Sequence, residues 1–326
     1  MKSFAKEFLR DEPPGGERQI FLGAFGKHPG WDDHIDDIGL ETESLVTAKQ
    51  LLYVEGIGGQ IGAWEQLDWA AQVAFNHVFI WRREKQLLVG RMWTSSDGKK
   101  RTRYPMVVCA HCIGASLPLV LDTLLAWLEE LQARAMATKS AEEVRVTMAQ
   151  FRDGLRNWLA AAEEDPARRS FEPEAFLADI GFSQEDESLL KALWHLHGSE
   201  HSAGKSKGKA GATPEGIRLQ ASSASTARSL EFWNQMAACE LDPSAPVLLV
   251  MPAQQYWLDV IAGEPTPPDF FCLRASPRAL PLSCDATELP EDCREKARAI
   301  MEHALTGETA GVGQGSRSWM SRLFGG

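Results

Sequence analysis

The residues best able to do chemistry crowd into one stretch, FLGAFGKHPGWDDHIDDIGL (Phe21–Leu40). It holds two histidines (His28, His34), four aspartates (Asp32, Asp33, Asp36, Asp37), a lysine and a tryptophan, punctuated by glycine and proline. Imidazoles and carboxylates are metal ligands, so one chemistry on offer is metal-dependent hydrolysis by the Asp/His loop at 28–37. The order D-D-H-I-D-D matches no EF-hand loop, and no helical H-E-x-x-H occurs in the chain. The other reading needs no reaction. Acidic side chains meet backbone N–H groups at a turn or helix start, and Trp31, close to Pro29, gives a stiff loop an aromatic anchor for a protein partner. This second reading is adopted, with no catalytic residue, cofactor or metal ligand assigned.

Other motifs lack the context their chemistry needs. GKSKG (Gly204–Gly208) has the G-x-S-x-G letters of a nucleophile elbow but polar flanks instead of a strand and a helix. Read from Gly198 through Gly204, Lys205 and Ser206, the same segment is one residue too long for a P-loop. GIGGQIG (Gly56–Gly62) places Ile61 where a dinucleotide loop needs its third glycine, which leaves a turn or a close packing contact. Cys109 and Cys112 form a lone C-x-x-C at the end of an apolar run. They read as buried thiols on opposite faces of a strand. His195, His197 and His201 read as a helix end and the solvent beyond it.

The elements that must position the loop follow from periodicity. IFLGAF (Ile20–Phe25) reads as the buried strand that delivers it. TESLVTAKQLLYVEG reads as helix broken at Gly56–Gly62, and DWAAQVAFNH as more helix. HVFIWRR, KQLLVGRMWTSS and RYPMVVCAHC predict a three-stranded antiparallel meander over 77–112, with Asp97-Gly98 as a hairpin signal. Leucines at helical spacing after Ser116 and a Ser140/Glu143 capping box open a helical segment over 116–197, with stops at Gly181 and Gly198. APVLLVMPA and DFFCLRA read as strands, and EDCREKARAIMEHAL as a helix ended by Gly307. The predicted class is α/β: a mixed, largely antiparallel sheet flanked by helices, with a helical middle segment. The organisation is a polar arm (1–18), an α/β lobe (19–197), a flexible linker (198–216), a second α/β lobe packed on the first (217–306) and a flexible tail (307–326).

Composition narrows the class further. A 44% hydrophobic content supports a buried core. A formal charge of −11 excludes a general nucleic-acid binder. Six scattered cysteines, no signal-peptide start and no bilayer-length apolar run point to the cytoplasm. Of eleven tryptophans, Trp64, Trp69, Trp81, Trp93 and Trp127 are assigned to the core. Trp257 and Trp319 stand near turns or the tail, where exposure would mark an interface.

GAFGKHPGWDDHI (Gly23–Ile35) resembles the opening signature of the TagF (ImpM) family, accessory proteins of bacterial type VI secretion. Gly26, Lys27, Pro29 and Asp33 stand at the family's positions; His34 departs from the first of two apolar positions and Ile35 fits the second. MWTSSDGKKRTRYPMVV (Met92–Val108) is similar to a later element, with Trp93, Asp97, Tyr104, Pro105 and Met106 in register. The family's Gly-Arg pair is not kept in place, although Arg101 and Arg103 lie nearby. The run Val247–Ala275 is similar in style to its last strands. The resemblance implies a mixed sheet flanked by helices and a non-catalytic regulator that restrains secretion assembly through a forkhead-associated scaffold protein. The residues placed on the contact surface are His28, Trp31, Asp32, Asp33, Arg101 and Arg103. Independently, Trp319, Met320, Leu323 and Phe324 beside Arg317 and Arg322 form a docking motif in the tail. It suits a protein groove or an anionic membrane, the one membrane contact foreseen.

Overall fold

The computed structural model describes residues 18–83, 86–163, 173–203, 216–222, 225–241, 245–283 and 288–306. The polar arm up to residue 17, GKSKG, and the tail with Trp319, Leu323 and Phe324 lie outside them.

Seven strands among the described residues form one sheet. They are β1 (Gln19–Gly26), β2 (Asn76–Arg83), β3 (Gln86–Thr94), β4 (Pro105–Ile113), β5 (Ile217–Gln220), β6 (Val247–Pro252) and β7 (Trp257–Ala262). Their order is β1-β4-β3-β2-β6-β7-β5. The expected α/β class and the β2-β3-β4 meander are found, and every ladder is antiparallel. The β2–β6 ladder, with Trp81 opposite Leu248, makes the two predicted lobes halves of one sheet.

The strands read as near-continuous apolar runs because both faces are covered. On one face Ile20, Leu22, Val89, Val108, Leu249 and Val260 pack against the larger helical layer. Its helices are α3 (Leu117–Ala137), α4 (Ala141–Ala161), α5 (Pro173–Asp179), α6 (Glu187–Ala203), α7 (Thr226–Glu240) and α8 (Glu291–Thr306). On the other face Phe21, Phe79, Trp81, Leu88 and Val250 meet a thinner layer. That layer is α1 (Glu43–Ala48), a π-helical segment (Lys49–Ile57), α2 (Gly58–Trp64) and a 3₁₀ segment (Pro267–Leu273). Period-2 alternation puts Cys109 on the thin-layer face and Cys112 on the helical face. Both are buried free thiols whose pKa burial pushes up to about 12.

Several expectations are corrected. Helix continues through Gly56–Gly62; Gly56 is required by packing, since a Cβ there would stand 2.3 Å from the Phe270 ring. DWAAQVAFNH contains only a 3₁₀ turn (Trp69–Ala71) before β2. DFFCLRA is not a strand: Thr266 and Asp269 form a capping box and the two prolines start a helical turn. The strand of that region is β7. Helix α6 passes Gly198 and ends at Ala203, inside the predicted linker.

Arg218 on β5 stands opposite Asp259 on β7 and bonds both of its carboxylate oxygens, at 2.7 and 2.9 Å. The same guanidinium donates to the carbonyls of Ala275, Leu280 and Cys272, tying the 3₁₀ segment and its exit to the sheet. Both residues are buried. Arg218→Met is expected to lower stability by roughly 3–5 kcal/mol, because an unpaired carboxylate is left inside. Pairing it with Asp259→Leu should restore much of the loss, and urea denaturation of the two variants checks both statements.

Candidate functional site

The antiparallel ladders bring four connections to one end of the sheet: the loop after β1, the segment before β2, the turn between β3 and β4, and the turn between β6 and β7. The opening loop leaves β1 at Gly26, whose φ of +120° and whose 2.3 Å clearance from the Pro105 carbonyl to a built Cβ admit only glycine. It then folds back along the open edge of β1. Ile35 N–H donates to Gly26 O at 2.8 Å, and Ala24 and Ile38 exchange bonds of 2.9 and 3.2 Å. The Ala24–Gly26 end of that edge is thereby closed to another chain's strand.

The charges of the loop are committed to internal bonds. Lys27, 4% exposed, donates to Asp33 and, at 2.9 Å, to Asp97. Asp97 is 1% exposed and also accepts from the Lys99 and Arg101 amides (2.9 and 3.0 Å) and from Arg101 Nε (2.7 Å). Burial alone would raise its pKa, but the Lys27 and Arg101 bonds together outweigh burial and hold the carboxyl well below the usual range. Arg101 spans back to the loop through Asp32 O (2.9 Å) and the Asp33 carboxylate (3.1 Å). The Lys27 bond, followed by the nearby cations, lowers the Asp33 pKa against a smaller opposing effect of burial. Gly98 N–H closes the junction on Trp31 O at 2.7 Å.

The rest of the loop is fastened to the helical layer. His28 Nδ1 accepts from Gly30 N–H (3.0 Å), so its Nε2–H donates to Ala135 O (3.1 Å) at the end of α3. Burial lowers the His28 pKa and keeps the ring neutral near pH 7. Trp31 donates to Asp36 at 3.2 Å and lies under the Arg145 guanidinium, 5.4 Å from the ring centroid. Arg145 on α4 also bonds Asp36 at 2.6 Å. Asp37 pairs with Lys49. His34 sits edge-on to Tyr53 and Tyr104, at 5.7 and 5.2 Å between centroids; burial, then Lys27, lowers its pKa.

This donor set does not fit a metal ion. Asp33, Asp36 and Asp37 each face a different cation, and no three histidine, cysteine or acidic side chains converge among the described residues.

The two loops chosen from sequence are therefore joined, but their residues stand in different situations. His28, 2% exposed, caps a helix and presents no side chain to a partner. Trp31 packs partly on the core, and Asp33 and Arg101 are the clamp itself. Asp32 is exposed, and Arg103 reaches outward to Glu65 at 3.1 Å with a side chain 70% exposed. The tryptophan assignment needs two exchanges: Trp257 is buried beneath Arg218, and Trp69 is 88% exposed. Trp64, Trp81 and Trp93 are core residues, and Trp127 packs partly buried against α4.

Trp69, assigned to the core from sequence, is the most exposed large apolar side chain among the described residues. It sits on a 3₁₀ turn held by Ala71 N–H to Asp68 O (2.9 Å) and by Ser276 N–H to Ala71 O (2.9 Å). Gln72 braces the preceding bend through the Trp64 and Leu67 carbonyls. The available signal was its position, one residue after Asp68 and outside any apolar stripe. No protein-family model and no curated protein matches the chain.

Asp97→Asn is expected to lower the urea midpoint at pH 7, because an amide N–H₂ would face Lys27 and Arg101. The folded-state pKa is depressed, so the carboxylate's contribution is full above the unfolded value of about 3.9 and fades as pH falls below it. Denaturation at pH 7 and at pH 3 should show the gap between wild type and variant narrowing in acid. A gap that widens would contradict the assignment.

Proposed function

We propose that this chain is a non-catalytic adaptor or regulator that acts in the cytoplasm by binding protein, as a TagF-like modulator of type VI secretion assembly. Its partner class is the forkhead-associated scaffold that the resemblance implies. Two islands of that resemblance meet in space, which supports treating them as one unit: Lys27 bonds Asp97, and Lys27 N–H donates to Pro105 O at 3.0 Å. No helix of the described residues is long and apolar enough to cross a membrane.

The observation that carries the proposal is Trp69. A large aromatic side chain standing in water on a turn pinned at both ends loses little entropy on binding and offers wide apolar area. Arg103, Glu65 and Asp32 belong to connections at the same end of the sheet and supply a polar surround.

Trp69→Ala should leave the unfolding midpoint nearly unchanged, since the side chain lies outside the core. Affinity purification of the full chain from its native cell is expected to recover a forkhead-associated or secretion-assembly component. The variant should bind that component about 30-fold more weakly, as loss of a binding hot spot does. Undiminished capture of every partner by the variant would remove this surface from the proposal.

A further inference from the structure

Two arginines of the sheet are almost equally hidden yet differently served. Arg218 is 1% exposed, and its guanidinium meets a bidentate carboxylate and three carbonyls. Arg91 is 8% exposed on β3, in the row that also carries Leu87, Val89 and Trp93 toward the helices. Among the described residues its partners are Gln132, through Nε at 2.8 Å, and the carboxylate of Glu129, 3.5 Å from Nη1 and 71% exposed. A buried guanidinium normally has its remaining donors met inside the protein. Here the group lines a cavity of about 570 Å³ between α3, the start of α7 and the β6–β7 turn.

The other walls of that cavity define what would fill it. The first residues of α7, Thr226 and Ala227, bring the positive end of a 15-residue helix to it. Val78, Leu121 and Leu125 give it an apolar side. Asn76 also lines it. Asp122 and Glu129 stand at exposed positions around it, Glu129 paired with Arg91, and this acidic rim disfavours a polyanion such as a nucleotide. The volume lies within the usual range for small-molecule sites, roughly 300–1,000 Å³.

We propose that this cavity binds a small zwitterion of the amino-acid or dipeptide class with an apolar side chain. Its carboxylate would meet Arg91 and the α7 N-terminus. Its ammonium group would meet the acidic wall, and its side chain would lie on Val78, Leu121 and Leu125. The site stands apart from Trp69 and does not depend on the adaptor reading.

Isothermal titration of the full chain with L-leucyl-L-leucine is expected to show saturable one-site binding. Amidating the dipeptide's carboxylate, or acetylating its amine, should each weaken binding about tenfold or more, as loss of a charged hydrogen-bonding group does. Arg91→Met should abolish it. Because Arg91 is buried, Ala133→Trp is the companion variant: it fills the cavity from an exposed helix position that also lines it. Absence of saturable binding by wild type would overturn the proposal, as would binding indifferent to Ala133→Trp or to either blocked end. Tighter binding of inorganic phosphate than of the dipeptide would overturn the ligand class.

Discussion

A carboxylate with almost no water around it is stable as an anion only where cations and N–H donors replace its hydration shell. Asp97 is such a group, and the end of the sheet is organised by that requirement. Lys27 enters from the β1 loop and Arg101 from the β3–β4 turn, and two backbone amides complete the shell. One buried charge thus fixes two connections distant in sequence to each other. Asp33, half outside, shares both cations and extends the clamp toward solvent. Remove the central anion and the neighbouring ammonium, itself buried, keeps only the more exposed Asp33 as a carboxylate partner.

With that junction fixed, the acidic loop becomes scaffold. It covers the Ala24–Gly26 end of the β1 edge, caps α3 through a neutral histidine and holds α4 through Arg145. Further along, Glu41 reaches Arg152 and Arg156 on the same helix, each at 3.3 Å. A loop bonded in this way has little freedom to rearrange, and three of its four aspartates are already paired with cations. What it does supply is a fixed base at the same end of the sheet as the exposed Trp69 turn.

The opposite half of the sheet uses the same device in a drier setting. Arg218 and Asp259 face each other across a strand pair, and the guanidinium fastens three carbonyls of a segment that has no ladder of its own. That fastening sets the 3₁₀ turn against the π-helical segment, where Phe270 meets Gly56. Arg91 marks the contrast, a buried cation whose partners Gln132 and Glu129 line the same cavity that it does.

Much of this architecture was legible in the chain, because local rules govern it. Alternating apolar runs gave the β2-β3-β4 meander, the Ser140/Glu143 pair gave the start of α4, and odd spacing put Cys109 and Cys112 on opposite faces. The TPPD run also held a helix-start signal, which the aromatic residues after it obscured. Which tryptophan is buried could not be read, since Trp69 and Trp257 differ in what the fold lays over them. Nor could the state of the charges be read. Asp97 looks like an ordinary hairpin residue until Lys27, seventy positions away, is brought to 2.9 Å. Sequence determined the elements, because hydrogen bonding and periodicity act over a few residues. Only the tertiary structure decided which polar groups are neutralised and which remain available, because burial and charge pairing depend on distances in space that no local pattern encodes.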